Sequence, residues 1–483
     1  MKTKILATYK KLAIPIKASF WFLICGIAEK GVSVVTTPIF TRLFTTKQYG
    51  YYNIYQSWLA IFAVFATLRL SLGVYTRGLV KFEDDKDRFS SSMQGLSTLC
   101  ILFVFAIYLI FHKFWNHITG LTTVMMIAMF VSIWATESFS FWSMRQRIRY
   151  KYRLLILVTL FVTLAKPVSG IIAVLSVSDE YKVLARILTL AGVELLAYAA
   201  LNFIQWHKCR NFYSKKYWKY ALKFNIPLIP HYLSQIVLNQ SDRIMIEKMT
   251  NVSQAGIYSL AYSLSMLMLI VNTAILNTLN PWIYQSIKKK EYFKIGKTSY
   301  AILCVVAIAN IMLIALAPEM VYIFAPTQYR EAIWIIPPIA MSVYFIFTYS
   351  LFANFEFYFE KTKFIMAASV MAALLNIGLN FIGIKIFGYM AAGYTTLICY
   401  ILYALGHYFF MKKTCKEFIG TSKIYNQSIL LLISVGFVLV GFIFMLLYPF
   451  MWLRFALILL IAILIVWKRN RIFALIKMLR SAK

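Results

Sequence analysis

The residues with chemistry to perform are charged side chains set among apolar ones. Glu29 and Lys30, Arg69, Glu137, Lys166, Arg186 and Glu194, then Asp242, Arg243 and Glu247, all fall within or at the ends of long apolar runs. A charge at the centre of a membrane-spanning helix costs ~2.5–3.5 kcal/mol on insertion scales, so it faces a lumen or a partner. Lys30 and Lys166 lie near the middle of their runs. A lysine offers three donors on a compact charge, which suits phosphate oxygens. Arg69 is a third candidate cation. Where a proton or sodium ion is exchanged, Glu29, Glu194 and Asp242 are the acids best placed to carry it, and Glu29 or Glu194 is placed to neutralise a lysine while the site is empty. Arg186, Asp242, Arg243 and Glu247 sit toward run ends, where they are expected to snorkel to the interface.

Helical spacing groups the polar residues into stripes. Pro227, His231, Gln235 and Asn239 recur every four residues, and Asp242 and Arg243 continue the line. Gly26, Glu29, Lys30, Ser33 and Thr37 share one face, as do Asn272, Thr273, Asn277 and Asn280; Asn376 and Asn380 are one turn apart. Such stripes line a water-filled cavity or hydrogen-bond across helices to hold the bundle together. Asn239 and His231 are the candidates for contacts to a neutral polar substrate body, with a packed or capping role open for His231. The deepest charges fall in the first half and the last six runs hold almost none. The expected binding surface is therefore cationic on one wall and neutral on the other. No Gly-rich phosphate loop, HExxH or nucleophile elbow is present. Six cysteines are scattered without CxxC spacing. Neither an enzyme, an ATP-driven pump, a metal centre nor a cofactor is expected.

The elements that must position these residues are membrane helices. Of 483 residues, 61% are apolar and 14% charged, whereas a soluble domain carries roughly a quarter charged. The apolar runs are continuous, which excludes the alternation of a β-barrel. Fourteen runs are long enough to span a bilayer, from Ile14–Phe40 to Phe450–Trp467. Asn53–Thr76 is read as the second and Asn225–Glu247 as the seventh. Alternate connecting segments, starting from the N-terminus, are rich in Lys and Arg, and the intervening ones carry two at most. That asymmetry assigns both termini to the cytoplasm and accounts for the net charge of +33 without nucleic acid. The first run has no small-residue cleavage site and is expected to remain as a helix. Basic and aromatic residues alternate in His207–Phe224 and Lys468–Lys483, as expected of amphipathic helices on an anionic leaflet. Thr41-Arg42-Leu43 with Tyr49-Gly50-Tyr51-Tyr52 is echoed by Asp242-Arg243-Ile244 with Gly256-Ile257-Tyr258. Six spans separate the copies, so the halves run parallel. The expected organisation is a six-helix lobe over 1–206, an interfacial linker over 207–224, a second six-helix lobe over 225–411, and two further helices with a basic tail over 412–483.

Three stretches carry a family resemblance. Gly31–Gly50 (GVSVVTTPIFTRLFTTKQYG), Ala221–Tyr262 (with IPLIPHYLSQIVLNQSDRIMI and AGIYSLAYS) and Glu360–Thr396 (with LLNIGLNFIGIKIFGYMAAGYTT) are similar to bacterial O-antigen and capsular polysaccharide repeat-unit flippases. These form the polysaccharide transporter family of the multidrug/oligosaccharidyl-lipid/polysaccharide superfamily. The resemblance implies an all-α, MATE-like fold of two lobes opening alternately to either side of the inner membrane. It implies undecaprenyl-pyrophosphate-linked oligosaccharide as substrate, moved to the periplasmic leaflet, with a polysaccharide polymerase and chain-length regulator as partners beside the membrane lipids. It also implies a cationic lumen, which Lys30, Lys166 and Arg69 would supply. The two additional C-terminal helices depart from the twelve of many relatives. Two other readings stand beside this one: a cation-coupled multidrug exporter of the same superfamily, which would need buried acids, and a membrane glycan polymerase or ligase, which would need a large external loop.

Overall fold

A computed structural model describes residues 13–207 and 209–467. The described residues are helical with short connections and no strand. They divide into two compact units, residues 1–240 and 241–483. The expected amphipathic segment Lys468–Lys483 lies outside the described residues.

The first unit contains α1 (Ile14–Leu43), α2 (Thr46–Thr67), α3 (Val74–Lys81), α4 (Lys86–Ile110), α5 (His112–Thr119), α6 (Thr123–Ile148), α7 (Tyr152–Leu175), α8 (Lys182–His207) and α9 (Lys215–Asn225). Helix α10 (Ile229–Met249) crosses from the first unit into the second. The second unit continues with α11 (Val252–Ser265), α12 (Met268–Lys288), α13 (Tyr292–Ala315), α14 (Ala317–Phe324), α15 (Ala332–Tyr358), α16 (Thr362–Phe387), α17 (Ala391–Ile419), α18 (Gln427–Leu446) and α19 (Met451–Trp467).

Eleven stretches of helix are long and apolar enough to cross a membrane, and Met451–Leu464 is a shorter apolar helix. The chain is thus a multi-pass membrane protein. Helices α2 and α10 fall outside that set because polar side chains dilute them, yet both are helical over 22 and 21 residues. The expected spans coincide with helix, with a long interruption in the second, which stops at Thr67 and resumes at Val74, and short ones at Phe111 in the third and Met266-Leu267 in the eighth.

Within the first unit, α8 packs on α6 and α7, and α1 lies mainly against α7. In the second, α15 is the central helix, packed against α11, α13 and α17. The echo seen in the sequence extends to the helix starts. Thr45 caps α2 by accepting from the Gln48 N–H, and Asn251 caps α11 by accepting from the Gln254 N–H. Each cap lies five residues before its glycine, Gly50 or Gly256. A capped start satisfies one of the N–H groups that the first helical turn leaves without a backbone partner.

Helix α9 is amphipathic, as its alternation demanded. Tyr217 and Ala221 are buried, and Tyr217 packs edge-on against Phe82 and Phe89, with ring centroids 5.0 and 5.3 Å away. Burial, with the Asp85 carboxylate accepting its hydrogen bond, pushes the Tyr217 phenol up to about 12. The preceding linker is equally close to the unit. A Cβ on Gly95 would meet the Phe212 carbonyl oxygen at 2.2 Å, so only glycine fits there.

Candidate functional site

Lys166 is carried by α7, one residue before Pro167. Its Nζ donates to Glu194 Oε1 on α8 at 2.5 Å. The glutamate side chain is 5% exposed and the lysine 26%, so the pair opens from the lysine side. Glu194 Oε2 is buried and finds no partner among the described residues. Directly beneath, Arg186 Nη1 donates to the Lys166 carbonyl at 2.5 Å, with its guanidinium 4.2 Å from the Phe40 ring centroid. Gly170 makes the room, since a Cβ there would collide with Arg186. Arg186 therefore does not snorkel, contrary to expectation. Its charge is held by a carbonyl and an aromatic face inside the unit.

Glu29 and Lys30 lie on α1 and are both exposed. Glu29 is within electrostatic reach of Arg147, Lys30 and Lys166, in that order. Arg147 belongs to the last turn of α6 and lies 4.8 Å over the Phe22 ring of α1. Lys30, Arg147 and Lys166 thus all lie within electrostatic reach of Glu29, and of these Lys166 is paired with Glu194. Arg147 was not among the expected site residues. The sequence placed it in a basic connection after Trp142, but α6 continues to Ile148 and carries it to the cluster.

Arg69 is not on a helix, which corrects the continuous second span. Leu68 and Arg69 both adopt left-handed backbone, at φ 48° and 51°. For residues with a Cβ this costs roughly 1–2 kcal/mol each. Neighbouring side chains hold the break. Glu137 on α6 accepts from the Ser71 N–H and from the Ser71 hydroxyl, each at 3.0 Å. Asn225, at the end of α9, donates to the carbonyls of Leu68 and Arg69, each at 2.8 Å. Non-helical backbone at membrane depth persists only where protein or a lined cavity satisfies it, and broken helices mark transport sites. The Arg69 side chain is half-buried, within electrostatic reach of Glu137 and Tyr232. Glu137→Ala would strand the Ser71 N–H, so a loss of about 1–3 kcal/mol in stability is expected. Glu137→Gln keeps one carbonyl acceptor and should lose less. Thermal unfolding in detergent measures both, and an unchanged Glu137→Ala midpoint would show that the break does not depend on the carboxylate.

In the second unit the polar residues converge on Asp242, which is 1% exposed. Asp242 Oδ1 accepts from Asn380 Nδ2 at 2.6 Å, and Oδ2 accepts from Tyr258 and from Thr396, the latter at 3.1 Å. Asn380 Oδ1 accepts from the Thr395 hydroxyl. Asn376 Oδ1 accepts from Ser241 at 3.2 Å and from Asn380 at 3.3 Å. The buried Asn376 Nδ2 finds no acceptor among the described residues. Helices α10, α11, α16 and α17 thus bring together one carboxylate, two amide oxygens and four hydroxyls. That is an oxygen-rich set of the kind hard cations prefer. Asp242 and Arg243 (7% exposed, with Tyr262 4.4 Å below its guanidinium) are both buried, so neither snorkels.

Other placements are less convergent. His231 is half-buried beside Tyr232, with ring centroids 5.9 Å apart. Asn239 donates back to the Gln235 carbonyl of its own helix at 2.6 Å. The expected near-absence of charge in the last six spans is wrong. His407 Nδ1 meets the Glu356 carboxylate at 2.8 Å with both side chains wholly buried, and Arg454 on α19 pairs with Glu319 on α14. Glu356 was missed because the apolar run ends at Phe355, whereas α15 runs on to Tyr358.

Residues 16–287 match the profile of a family described as polysaccharide biosynthesis protein. Over 165 residues, 33% of this chain, the sequence is 27% identical to protein 1 of the Lsg locus of Haemophilus influenzae. The chain spans 40% of the length of that curated relative. Among solved structures, a lipid II flippase MurJ in an inward closed conformation matches with a TM-score of 0.69 at 15% identity, covering 95% of this chain and 100% of that one. An inward-facing multidrug resistance MATE transporter of the MOP superfamily matches with a TM-score of 0.63 at 10% identity, covering 81% and 96%. A MOP superfamily transporter from Pyrococcus furiosus gives 0.58 at 13% identity, covering 83% and 96%. At these identities the likeness is one of fold.

Proposed function

The chain belongs to the polysaccharide biosynthesis protein family, and from that premise we propose that it is a lipid-linked oligosaccharide flippase working by alternating access. Its substrate is an undecaprenyl-pyrophosphate-linked oligosaccharide, an O-antigen or capsule repeat unit. It moves this unit from the cytoplasmic to the periplasmic leaflet of the inner membrane, where a polysaccharide polymerase and a chain-length regulator take it over. The observation that carries the reading is the Lys166–Glu194 pair on α7 and α8, open from the lysine side, with Lys166, Lys30 and Arg147 all within electrostatic reach of Glu29. Three dispersed cations attract a pyrophosphate without gripping it, and Glu194 holds Lys166 in place between substrates. Arg69, presented by the broken second span, adds a planar fork for phosphate oxygens. His231 and Asn239, on α10, are the residues for the sugar. A lipid II flippase shares the fold. Polar loops are short throughout the described residues, which disfavours a polymerase or ligase.

The pyrophosphate carries roughly two negative charges, and outward movement across an inside-negative membrane is favoured by ~2.3 kcal/mol per charge per 100 mV. The field alone assists export. Where a cation is exchanged, the oxygen cluster at Asp242 is its place in the second unit, ahead of Glu29 and Glu194, which face lysines and Arg147. Depletion of the protein in its native cell should accumulate lipid-linked oligosaccharide facing the cytoplasm while drug susceptibility stays unchanged. Drug hypersensitivity with normal surface polysaccharide would favour the multidrug exporter.

The same reading fixes sidedness. Single cysteines placed within 288–297 or 208–223 should be labelled only from the cytoplasm, and those within 318–330 only from outside. The motivation is the alternation of basic segments. External labelling of 288–297 would break the topology.

A further inference from the structure

Within the second unit, α17 and α18 both rest on α15. Between them a slot of about 310 Å³ is lined by Phe352, Leu405, Tyr408, Phe409, Leu431 and Val435, among other apolar side chains. Its rim is open: Phe409 is 59% exposed and Val435 52%. At one end the slot runs into a second pocket of about 610 Å³, with Tyr408 and Gln427 common to both. This mouth is lined by Lys297 of α13, Lys412 of α17 and Lys423 of the loop before α18. The acids nearby in sequence, Glu291 and Glu417, are paired with Lys294 and Lys361, so they do not neutralise the mouth.

The mouth is built rather than incidental. The Tyr300 hydroxyl accepts from the Asn426 N–H, and Asn426 in turn caps α18 by accepting from the Ser428 N–H at 2.9 Å. Gly296 lets the Ile424 carbonyl approach α13, where a Cβ would meet it at 2.5 Å. Tyr425 is wedged against Phe352 and Tyr300, with ring centroids 5.5 and 6.2 Å away. These contacts hold the loop that carries Lys423 beside the slot.

A cationic mouth continuous with an open apolar slot has the shape and polarity of an anionic amphiphile. Basic pockets between helices on the cytoplasmic side hold anionic lipid headgroups. The segments that supply these lysines are among those the positive-inside pattern assigns to the cytoplasm. We propose that this is a binding site for an anionic phospholipid of the cytoplasmic leaflet. Its phosphate lies among Lys297, Lys412 and Lys423, and one acyl chain lies along the slot between α17 and α18. The site lies wholly within the second unit and does not depend on the flippase reading. A free phosphate would leave the slot uncovered, and a neutral lipid would leave the three lysines unmatched.

Native mass spectrometry of the purified protein tests this, with phosphatidylglycerol and phosphatidylcholine of identical chains as probes. Phosphatidylglycerol should bind about ten-fold more tightly or better, since lysines near the headgroup favour the lipid with net negative charge. The combined variant Lys297→Gln, Lys412→Gln, Lys423→Gln should lose that preference. Val435→Trp, which fills the slot, should weaken both lipids alike. Unchanged thermal unfolding of the variants in lipid-free detergent shows that they are folded. A preference that survives the triple variant overturns the proposal, as does competition by glycerol phosphate equal to that of the lipid, which would make this a phosphate site only. Tighter lysine-dependent binding of a polyprenyl diphosphate than of phosphatidylglycerol would also overturn it, in favour of a site for loading substrate.

Discussion

Asp242→Asn is expected to reach the membrane at close to the wild-type level and to lower export by about ten-fold or more, a difference of at least ~1.4 kcal/mol. The carboxylate accepts from Asn380, Tyr258 and Thr396 at once, all of them neutral donors. Asparagine keeps the shape but supplies one acceptor oxygen, no charge, and an NH₂ group facing donors. Arg243 next to it, also buried, is within electrostatic reach, but the hydrogen-bonding partners of the carboxylate are neutral, and a buried acid on transmembrane helices is the expected place for a visiting cation. Removing the charge should therefore abolish any dependence of export on a sodium or proton gradient while leaving the fold. Glu29→Gln and Glu194→Gln serve as comparisons, because those acids face lysines and Arg147. If Asp242→Asn exports at the wild-type rate with the wild-type gradient dependence, the cluster is a structural hydrogen-bond network and carries no ion.

Lys166→Ala is the second large effect. It removes a candidate phosphate ligand, and it also leaves Glu194 buried without its partner. Breaking a buried pair on one side is strongly destabilising, so low abundance alone would not identify a binding role. The double variant Lys166→Ala, Glu194→Ala separates the two. It removes both charges, so the protein should accumulate, yet surface polysaccharide should fall about ten-fold or more if the lysine binds phosphate. Lys166→Arg should keep part of the activity, since the charge persists in a different geometry. Recovery of full export in the double variant would mean that the pair only holds α7 to α8. Adding the single variant Glu194→Ala completes the cycle that gives the coupling energy between the two sites.

The architecture was legible because membrane helices write themselves in continuous apolar runs and basic connections. Even the polar helix α10 was found, since its stripe at Pro227, His231, Gln235 and Asn239 has helical period. Asp242, Asn376 and Asn380 were each singled out from local spacing. Their meeting, with Thr395 and Thr396, was not, because it joins segments some 135 residues or more apart. Two of the three family-like stretches supply these residues, so the resemblance located a site whose shape it could not describe. The break at Leu68-Arg69 left almost no trace. Neither residue is glycine or proline, and the conformation is imposed by Glu137 and Asn225 from outside the segment. Arg147 and Glu356 were lost for a different reason: helices outlast their apolar runs, so a charge in the last turn reads as loop.

The central claim is that Lys166 and its neighbouring cations bind a pyrophosphate-linked oligosaccharide for transfer between leaflets. Its most direct test is transport in proteoliposomes loaded with a fluorescent polyprenyl-pyrophosphate oligosaccharide. Movement between leaflets is read as a change in accessibility to an external quencher or glycosidase. The account expects transfer by the wild-type protein, loss of transfer in the Lys166→Ala, Glu194→Ala double variant, and little transfer of a polyprenyl oligosaccharide lacking the pyrophosphate. Equal transfer by the double variant, or equal transfer of the substrate without pyrophosphate, would contradict it.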